Sequence, residues 1–418
     1  MSKKNQLSRR EFIKGLSIFA ASMPWLSLLA KEDIPEGRRP SDVVRLGVIG
    51  VGSRGSLLML HLQSISNVEI AAICDDYMPH LNDGKRITEN RAKAFVDYRK
   101  MLEMKNLDGI IIATPLHLHA KMTIDAMRAG HNVFCEKNMA RYMHECKDIV
   151  NVQKDTGKIL QIGFQRIFDL RYIKAVELIR KGRIGKVNMI RAYWHRNNDW
   201  RRHVPKPELE KKINWRLYRE FSGGLMTELG AHQVQVANWI LDSHPEAVGG
   251  FGSINYWKDG REVNDSVSLV YNYPNGIQVI YDSMISNKRY GLEEQILGDK
   301  GTMELEAGKI YEEEPPPAPG ILHLINDLEH QFFDTIPIGG ASWVPDTPVR
   351  YKGEYILDQY PFPDATLLEL DAFVKSIRAN EHIDRMIEHA FYASVTALLG
   401  NLAIQRQSIV NWPRGYSL

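Results

Sequence analysis

The chain has 418 residues, and its 53 Lys and Arg nearly balance 51 Asp and Glu, leaving a formal net charge of +2. That length is more than one small core needs and suits two domains. The near-neutral balance without a long basic run argues against a nucleic-acid partner, and 44% apolar residues is the proportion of an ordinary globular protein.

Lys3-Lys4 and Arg9-Arg10 precede an apolar run over 15–30, too short for a convincing membrane span. Ser8-Arg9-Arg10-Glu11-Phe12-Ile13-Lys14 therefore reads as a twin-arginine export signal. This predicts a leader over 1–30, the twin-arginine export machinery as a partner and a periplasmic protein exported already folded. Residues 31–42, with Pro35, Gly37 and Pro40, read as a linker.

From residue 43 strands and helices alternate. Strands are expected over 43–49, 68–74, 109–113, 133–135 and 159–163. Helices are expected over 56–64, 87–98, 120–129 and 143–156, the last ending at Gly157. This βαβ alternation predicts a doubly wound domain over 43–163. Gly50-x-Gly52-x-x-Gly55, with Ser53 and Arg54 inside it, joins the first strand to the first helix. Gly50 allows the tight turn, Gly52 the approach of backbone to a pyrophosphate, and Gly55 the packing of helix on strand. Asp75 ends the second strand about twenty residues on, where a ribose-binding acid belongs. The pair Asp75-Asp76 favours NAD over NADP, because a carboxylate repels a 2′-phosphate; Arg54 is the nearby cation that argues the other way.

Beyond residue 163 the pattern changes. Helices are expected over 171–181, 224–241, 365–378 and 385–405, and strands over 186–195, 247–257, 266–273, 277–285, 293–297 and 302–305. Pro274-Asn275-Gly276 signals a hairpin, and Glu312 to Pro317 a surface loop. The fold class expected is α/β: an N-terminal Rossmann domain, then an α/β domain over 164–418 with an open, mainly antiparallel sheet and C-terminal helices packing back. Cys74, Cys135 and Cys146 are an odd number within the first domain and make no disulfide framework. No Cys/His spacing resembles a zinc site, so no metal is expected.

Ala113-Thr114-Pro115-Leu116-His117-Leu118-His119-Ala120 and Ala129-Gly130-His131-Asn132-Val133-Phe134-Cys135-Glu136-Lys137 resemble the glucose–fructose oxidoreductase / inositol dehydrogenase (Gfo/Idh/MocA) family. The resemblance runs from about residue 43 to the C-terminus and is more specific in the first domain. Glu136-Lys137 matches the family's Glu-Lys-Pro motif, with Asn138 in place of proline. The resemblance implies that Lys137 hydrogen-bonds the substrate hydroxyl, stabilises the developing alkoxide and relays its proton. Gly223-Gly224-Leu225-Met226-Thr227-Glu228-Leu229-Gly230-Ala231-His232 is similar to the family's glycine-rich turn, which is followed by an acid and a histidine four residues on. His232 is then the general base, and Glu228, where relatives carry Asp, binds a neighbouring hydroxyl or orients that base. Thr114, His119, Glu136 and Gln165 are implied cofactor contacts, and Trp194 and Arg166 implied substrate contacts. Trp194-His195-Arg196 and Trp200-Arg201-Arg202 read as a sugar platform, though a core role for Trp194 is equally open.

The function expected is an exported NAD-dependent oxidoreductase acting on a sugar or glycoside hydroxyl, with C3 as a candidate carbon. No nucleotide pool exists outside the inner membrane, so NAD(H) is expected to be held tightly and recycled. Two alternatives stay open: an NAD-dependent glycosidase working by oxidation, elimination, hydration and reduction, and a non-catalytic sugar-binding protein. The half-exposed second sheet predicts a homo-oligomer.

Overall fold

The computed structural model describes residues 43–313, 353–356 and 363–418. The predicted leader, the linker and residues 314–317 of the predicted loop lie outside them.

The first domain is a six-stranded parallel sheet. Its strands are β1 (Val44–Ile49), β2 (Val68–Cys74), β3 (Lys93–Phe95), β4 (Gly109–Ile112), β5 (Asn132–Glu136) and β6 (Leu160–Gly163), in the order β3-β2-β1-β4-β5-β6. Every residue of β4 and β6 is buried, as expected of strands covered on both faces. The helices are α1 (Ser53–Gln63), α2 (Met78–Ile87), α3 (Tyr98–Leu102), α4 (His119–Arg128) and α5 (Met143–Thr156). The strand order reverses between β1 and β4, and the carboxyl ends of these two strands open the crevice where such folds bind ligands.

The helix expected over 87–98 is not formed. α2 lies earlier, with Pro79 in its first turn, and Glu89 and Asn90 adopt left-handed φ of 52° and 59° just beyond its end. Part of the expected helical stretch pairs with β2 as β3.

The second domain contributes α6 (Leu170–Arg180) and β7 (Val187–His195). A strap of short turns over 196–222 follows, with one helical turn, α7 (Glu210–Ile213). A π-helical turn, Met226–Gly230, then opens α8 (Ala231–Leu241). The remaining strands are β8 (Ala247–Ser253), β9 (Ser266–Asn272), β10 (Gln278–Met284), β11 (Leu292–Gly298), β12 (Gly301–Glu304), β13 (Lys309–Glu312), β14 (Glu354–Tyr355) and β15 (Val410–Asn411). Among the described residues they form one sheet in the order β14-β13-β12-β11-β7-β10-β9-β8-β15, antiparallel except where β10 runs parallel to β7. The expected hairpin joins β9 to β10, with Asn275 and Gly276 at φ of 63° and 74°. β8 stops short of its expected end, because the buried Asp265 carboxylate accepts from the N–H groups of Asn255, Tyr256 and Trp257 and holds that segment in a turn.

α9 (Ala365–Ala379) and α10 (Met386–Arg406) return to the first domain. Leu370, Phe373 and Val374 of α9 join the core cluster of β1, β2 and α1, and Phe373 meets Phe134 edge to face at 5.9 Å. On the other face of the first sheet, residues of α4 and α5 share a single cluster with α8, α10 and the second sheet. The core is thus continuous across the two domains, and this sets the crevice end of the first sheet against the π turn of the second domain. The N- and C-terminal halves agree with the expected fold class, a Rossmann domain followed by a mainly antiparallel open sheet.

Candidate active site

β1 delivers the glycine turn. Gly50 sits at φ 85° with its N–H donating to the Cys74 carbonyl at 2.8 Å; a Cβ there would stand 2.7 Å from the Ala113 carbonyl oxygen. A Cβ on Gly55 would stand 1.9 Å from the Gly50 carbonyl oxygen, so only glycine lets α1 pack this closely. α1 starts beside Gly52 without a side-chain cap, which leaves its first N–H groups open to an anion. The Asp75 carboxylate accepts from the N–H groups of Val51 (3.0 Å) and Tyr77 (2.8 Å) and faces His80 Nδ1 at 3.5 Å. It therefore ties the glycine turn to the end of β2 while lining the same cleft.

Arg54 does not wait for a 2′-phosphate. Its guanidinium lies 2.5 Å from Glu136 and 3.3 Å from Glu369 of α9, so two carboxylates take up its charge. Glu136 is buried and also accepts from the Lys137 N–H at 3.3 Å. Both ring nitrogens of His119 approach carbonyl oxygens, those of Asn138 (2.8 Å) and Thr114 (3.0 Å). Burial lowers its pKa, but the Cys135 sulfur and these carbonyls outweigh burial and push it up to about 9. His119 therefore braces the cleft wall as a donor on both sides. All three cysteines are buried and unpaired, and burial pushes the Cys74 thiol up to about 12.

At the other end of the cleft three predicted groups converge. β5 ends at Glu136 and presents Lys137, whose ammonium donates to the carbonyls of Glu228 (2.7 Å) and Thr227 (3.3 Å) in the π turn. A π turn breaks the regular i→i−4 ladder, which leaves such carbonyls available to an outside donor. The Lys137–Asn138 peptide bond is cis. The Glu228 carboxylate itself points to Arg216, 2.8 Å away. Burial works against its charge, but Arg216 and Lys137 outweigh burial and hold its pKa below the usual carboxylate range. Burial lowers the pKa of Lys137, against the pull of Glu228 and Glu136. His232 is buried, and its Nδ1 has no hydrogen-bond partner among the described residues. Burial, with Lys137, Arg166, Arg54 and Arg196 nearby, pushes its pKa well below 6.5. At neutral pH it is a neutral imidazole with an unused nitrogen, the state a general base requires.

The cleft encloses about 500 Å³. Gly50, Gly52, Ser53, Arg54 and Asp75 line it, as do Thr114, His119, Glu136, Lys137, Gln165, Glu228 and His232, while Gly55 packs beneath the turn. Thr114 Oγ1 and Gln165 Oε1 are buried without partners among the described residues. Orphaned polar atoms, an uncapped helix start and a turn that admits no Cβ together fit a dinucleotide.

Trp194 and Arg166, the two implied substrate contacts, lie beside the cleft lining rather than in it. Arg166 is buried and committed to Glu294, with Glu306 3.4 Å away and Tyr172 bonded to both acids. Trp194 packs tilted against His232, ring centroids 5.7 Å apart, with the Arg166 and Arg196 guanidinium groups over its ring. The sequence reading missed Lys212, Trp215 and Arg216, which line the cleft from the strap. Their signal was present: residues 196–219 carry eight Lys and Arg between an expected strand and a glycine-rich turn.

Comparison with known proteins agrees with this fold. Residues 44–164 match the oxidoreductase family with an NAD-binding Rossmann fold, and residues 172–304 match the GFO/IDH/MocA C-terminal domain. Inositol 2-dehydrogenase of Salmonella typhimurium is 25% identical over 269 residues, 63% of this chain and 74% of the relative. Myo-inositol 2-dehydrogenase of Thermotoga maritima is 26% identical over 261 residues, 62% and 74% of the two chains. Two solved structures share the fold, each covering 88% of this chain and 99% of the other. Levoglucosan dehydrogenase in complex with NADH superposes with a TM-score of 0.68 at 17% identity. Scyllo-inositol dehydrogenase from Lactobacillus casei with bound NAD(H) and scyllo-inositol does so with 0.65 at 18%. The first domain is an NAD-binding Rossmann domain, and the chain belongs to the GFO/IDH/MocA oxidoreductase family.

Proposed function

We propose that the protein oxidises a secondary hydroxyl of a sugar, glycoside or related polyol. The observation that carries this reading is the convergence of Lys137, His232 and Glu228, from both domains, on the cleft that begins at the glycine turn. NAD, when bound, supplies the hydride acceptor. His232, held neutral, takes the hydroxyl proton as the C–H bond gives up its hydride and the carbon becomes a carbonyl. Lys137 hydrogen-bonds the same oxygen and stabilises the charge that develops on it. Glu228, fixed by Arg216, binds a neighbouring hydroxyl and holds the ring in place.

The finer reading keeps C3 of a pyranose as the candidate carbon. It takes the protein as exported by the twin-arginine route to the periplasm, with NAD(H) retained and recycled by a second carbonyl acceptor. Self-association through the second sheet is part of it. By register Phe251, Val270 and Ile280 share the outward face of neighbouring strands, and Phe251 is 77% exposed. The relatives named above are dehydrogenases, which favours net oxidation over glycoside hydrolysis.

The test is to denature the purified protein and assay released nucleotide. Intact protein, with no added NAD, is then incubated with inositols and sugars plus an electron acceptor, and separately with nitrophenyl glycosides. Acceptor reduction supports the proposal. Nitrophenol release without acceptor reduction would replace it with the hydrolase reading, and inactivity across the panel with the binding-protein reading.

A further inference from the structure

The strap over 196–222 runs along the cofactor cleft, where two of its basic side chains touch the first domain and a third pairs within the second. Lys212 of α7 donates to the Asp76 carbonyl at 3.1 Å and lies 2.9 Å from its carboxylate. Arg202 donates to the Ser53 hydroxyl at the start of α1, 2.9 Å away. Arg216 pairs with Glu228 at 2.8 Å. Asp76 adjoins the acid at the end of β2, Ser53 opens the helix that faces an anion, and Glu228 belongs to the chemical end. One segment therefore spans the cleft.

The strap is a built structure. Asn214, 2% exposed, accepts from the Arg202 N–H at 2.7 Å and donates to the Arg202 carbonyl at 3.1 Å, which fixes the backbone of Arg202 against the end of α7. Arg201 pairs with Glu210 (2.6 Å) and Asp259 (3.2 Å), and the Tyr218 hydroxyl donates to Glu210 at 2.8 Å. Buried Arg261 donates to the Asp199 carbonyl at 2.6 Å, and Arg141 of the first domain to the Arg219 carbonyl at 2.6 Å. Trp200 is held at φ 60°, a conformation a bulky side chain adopts only when its surroundings impose it. Among the described residues no carboxylate pairs with the Arg202 guanidinium, while Arg216 already has Glu228. The strap thus brings an unbalanced positive charge to the uncapped start of α1.

We infer that the strap is a clasp for the dinucleotide: Arg202 is a pyrophosphate ligand supplied by the second domain, and the Lys212–Asp76 pair is the latch that holds the strap down, so NAD leaves only when the strap lifts. The inference rests on the NAD assignment and deepens it, because it supplies a physical route to cofactor retention.

The test follows release of NADH from the full-length protein. Protein loaded with NADH is mixed with excess NAD, and loss of bound-NADH fluorescence gives the dissociation rate. Arg202→Ala and Lys212→Ala are each expected to raise that rate by about 10- to 100-fold, the worth of a charge-assisted hydrogen bond. Arg202→Lys restores part of the retention. Asp76→Ala raises it less than Lys212→Ala, because the Asp76 carbonyl still accepts from Lys212, and adding it to Lys212→Ala changes little. Lys211→Ala, which removes an exposed pair with Glu220 on the same helical turn, leaves the rate unchanged. Melting of the nucleotide-free variants checks that each is folded. Wild-type release rates in Arg202→Ala and Lys212→Ala overturn the clasp alone. A wild-type preference for NADP that is lost in Lys212→Ala also overturns it, by making Lys212 a 2′-phosphate ligand. A wild-type protein that binds neither nucleotide overturns the NAD assignment and the clasp with it.

Discussion

Replacing Lys137 by alanine tests the chemical end of the site with two separate readouts. The first is rate. A positioned acid or base is worth about 10²–10⁴-fold, or about 3–5 kcal/mol of transition-state stabilisation. The Thr227 and Glu228 carbonyls lose the ammonium that now lies 3.3 and 2.7 Å away, and leaving buried acceptors unpaired costs about 1–3 kcal/mol of stability. That cost is at its low end for Glu228, which lines a cleft that water can enter, and falls more fully on the buried Thr227. The variant should therefore fold and bind NAD while turning over far more slowly. The second readout is pH. Burial is the main reason His232 titrates well below 6.5, and Lys137 is the foremost of the charges that add to it. The wild-type rate should fall on the acid side only below pH 6.5, as His232 gains its proton. Removing Lys137 removes one depressing charge, so the acid limb should move to higher pH; Lys137→Arg keeps the charge and should leave it in place. Lys137 is itself depressed from 10.5 by burial, so the alkaline limb of the wild type should begin below pH 10.5. The assay is steady-state NADH formation from pH 4 to 11, with saturating NAD and the substrate found in the screen. An acid limb that does not move, together with a rate within about tenfold of wild type, would refute the assignment.

Three further predictions concern the rest of the cleft. Gly55→Ala should cost about 1–3 kcal/mol or more, read as a lower Tm, and abolish NAD binding, because the new methyl meets the Gly50 carbonyl oxygen, which is backbone and cannot swing aside. Asp75→Ala should weaken NAD binding by about 1.5–3 kcal/mol in calorimetry, since Val51 and Tyr77 lose a charged acceptor along with any ribose contact. Glu228→Gln should raise KM more than it lowers kcat; an equal fall in kcat and kcat/KM would instead give Glu228 a role confined to the transition state.

Local chemistry alone determined the cofactor half of this protein. A buried strand, a turn that only glycine can make, a helix and an acid at the next strand end are contiguous and short-range, so Gly50, Gly52, Gly55 and Asp75 were legible before any fold was known. Lys137, Glu228 and His232 were legible through family resemblance, because their spacing along the chain says nothing about which faces meet. The helix expected over 87–98 failed for a local reason of another kind: Glu89 and Asn90 turn left-handed, and a helical hydrophobic pattern cannot reveal that. Tertiary structure decided the rest. Arg166 and Trp194 follow or end apolar runs, and their partners come from far along the chain: Glu294 pairs with one and His232 packs on the other. The parallel pairing of β10 with β7 has no sequence signature, since strands 82 residues apart are joined only by the packing of everything between them. The strap reaches Ser53 and Asp76 because the shared core of α4, α5, α8 and α10 fixes the two domains side by side. Which cations face the cofactor is a property of that docking, and no segment read alone carries it.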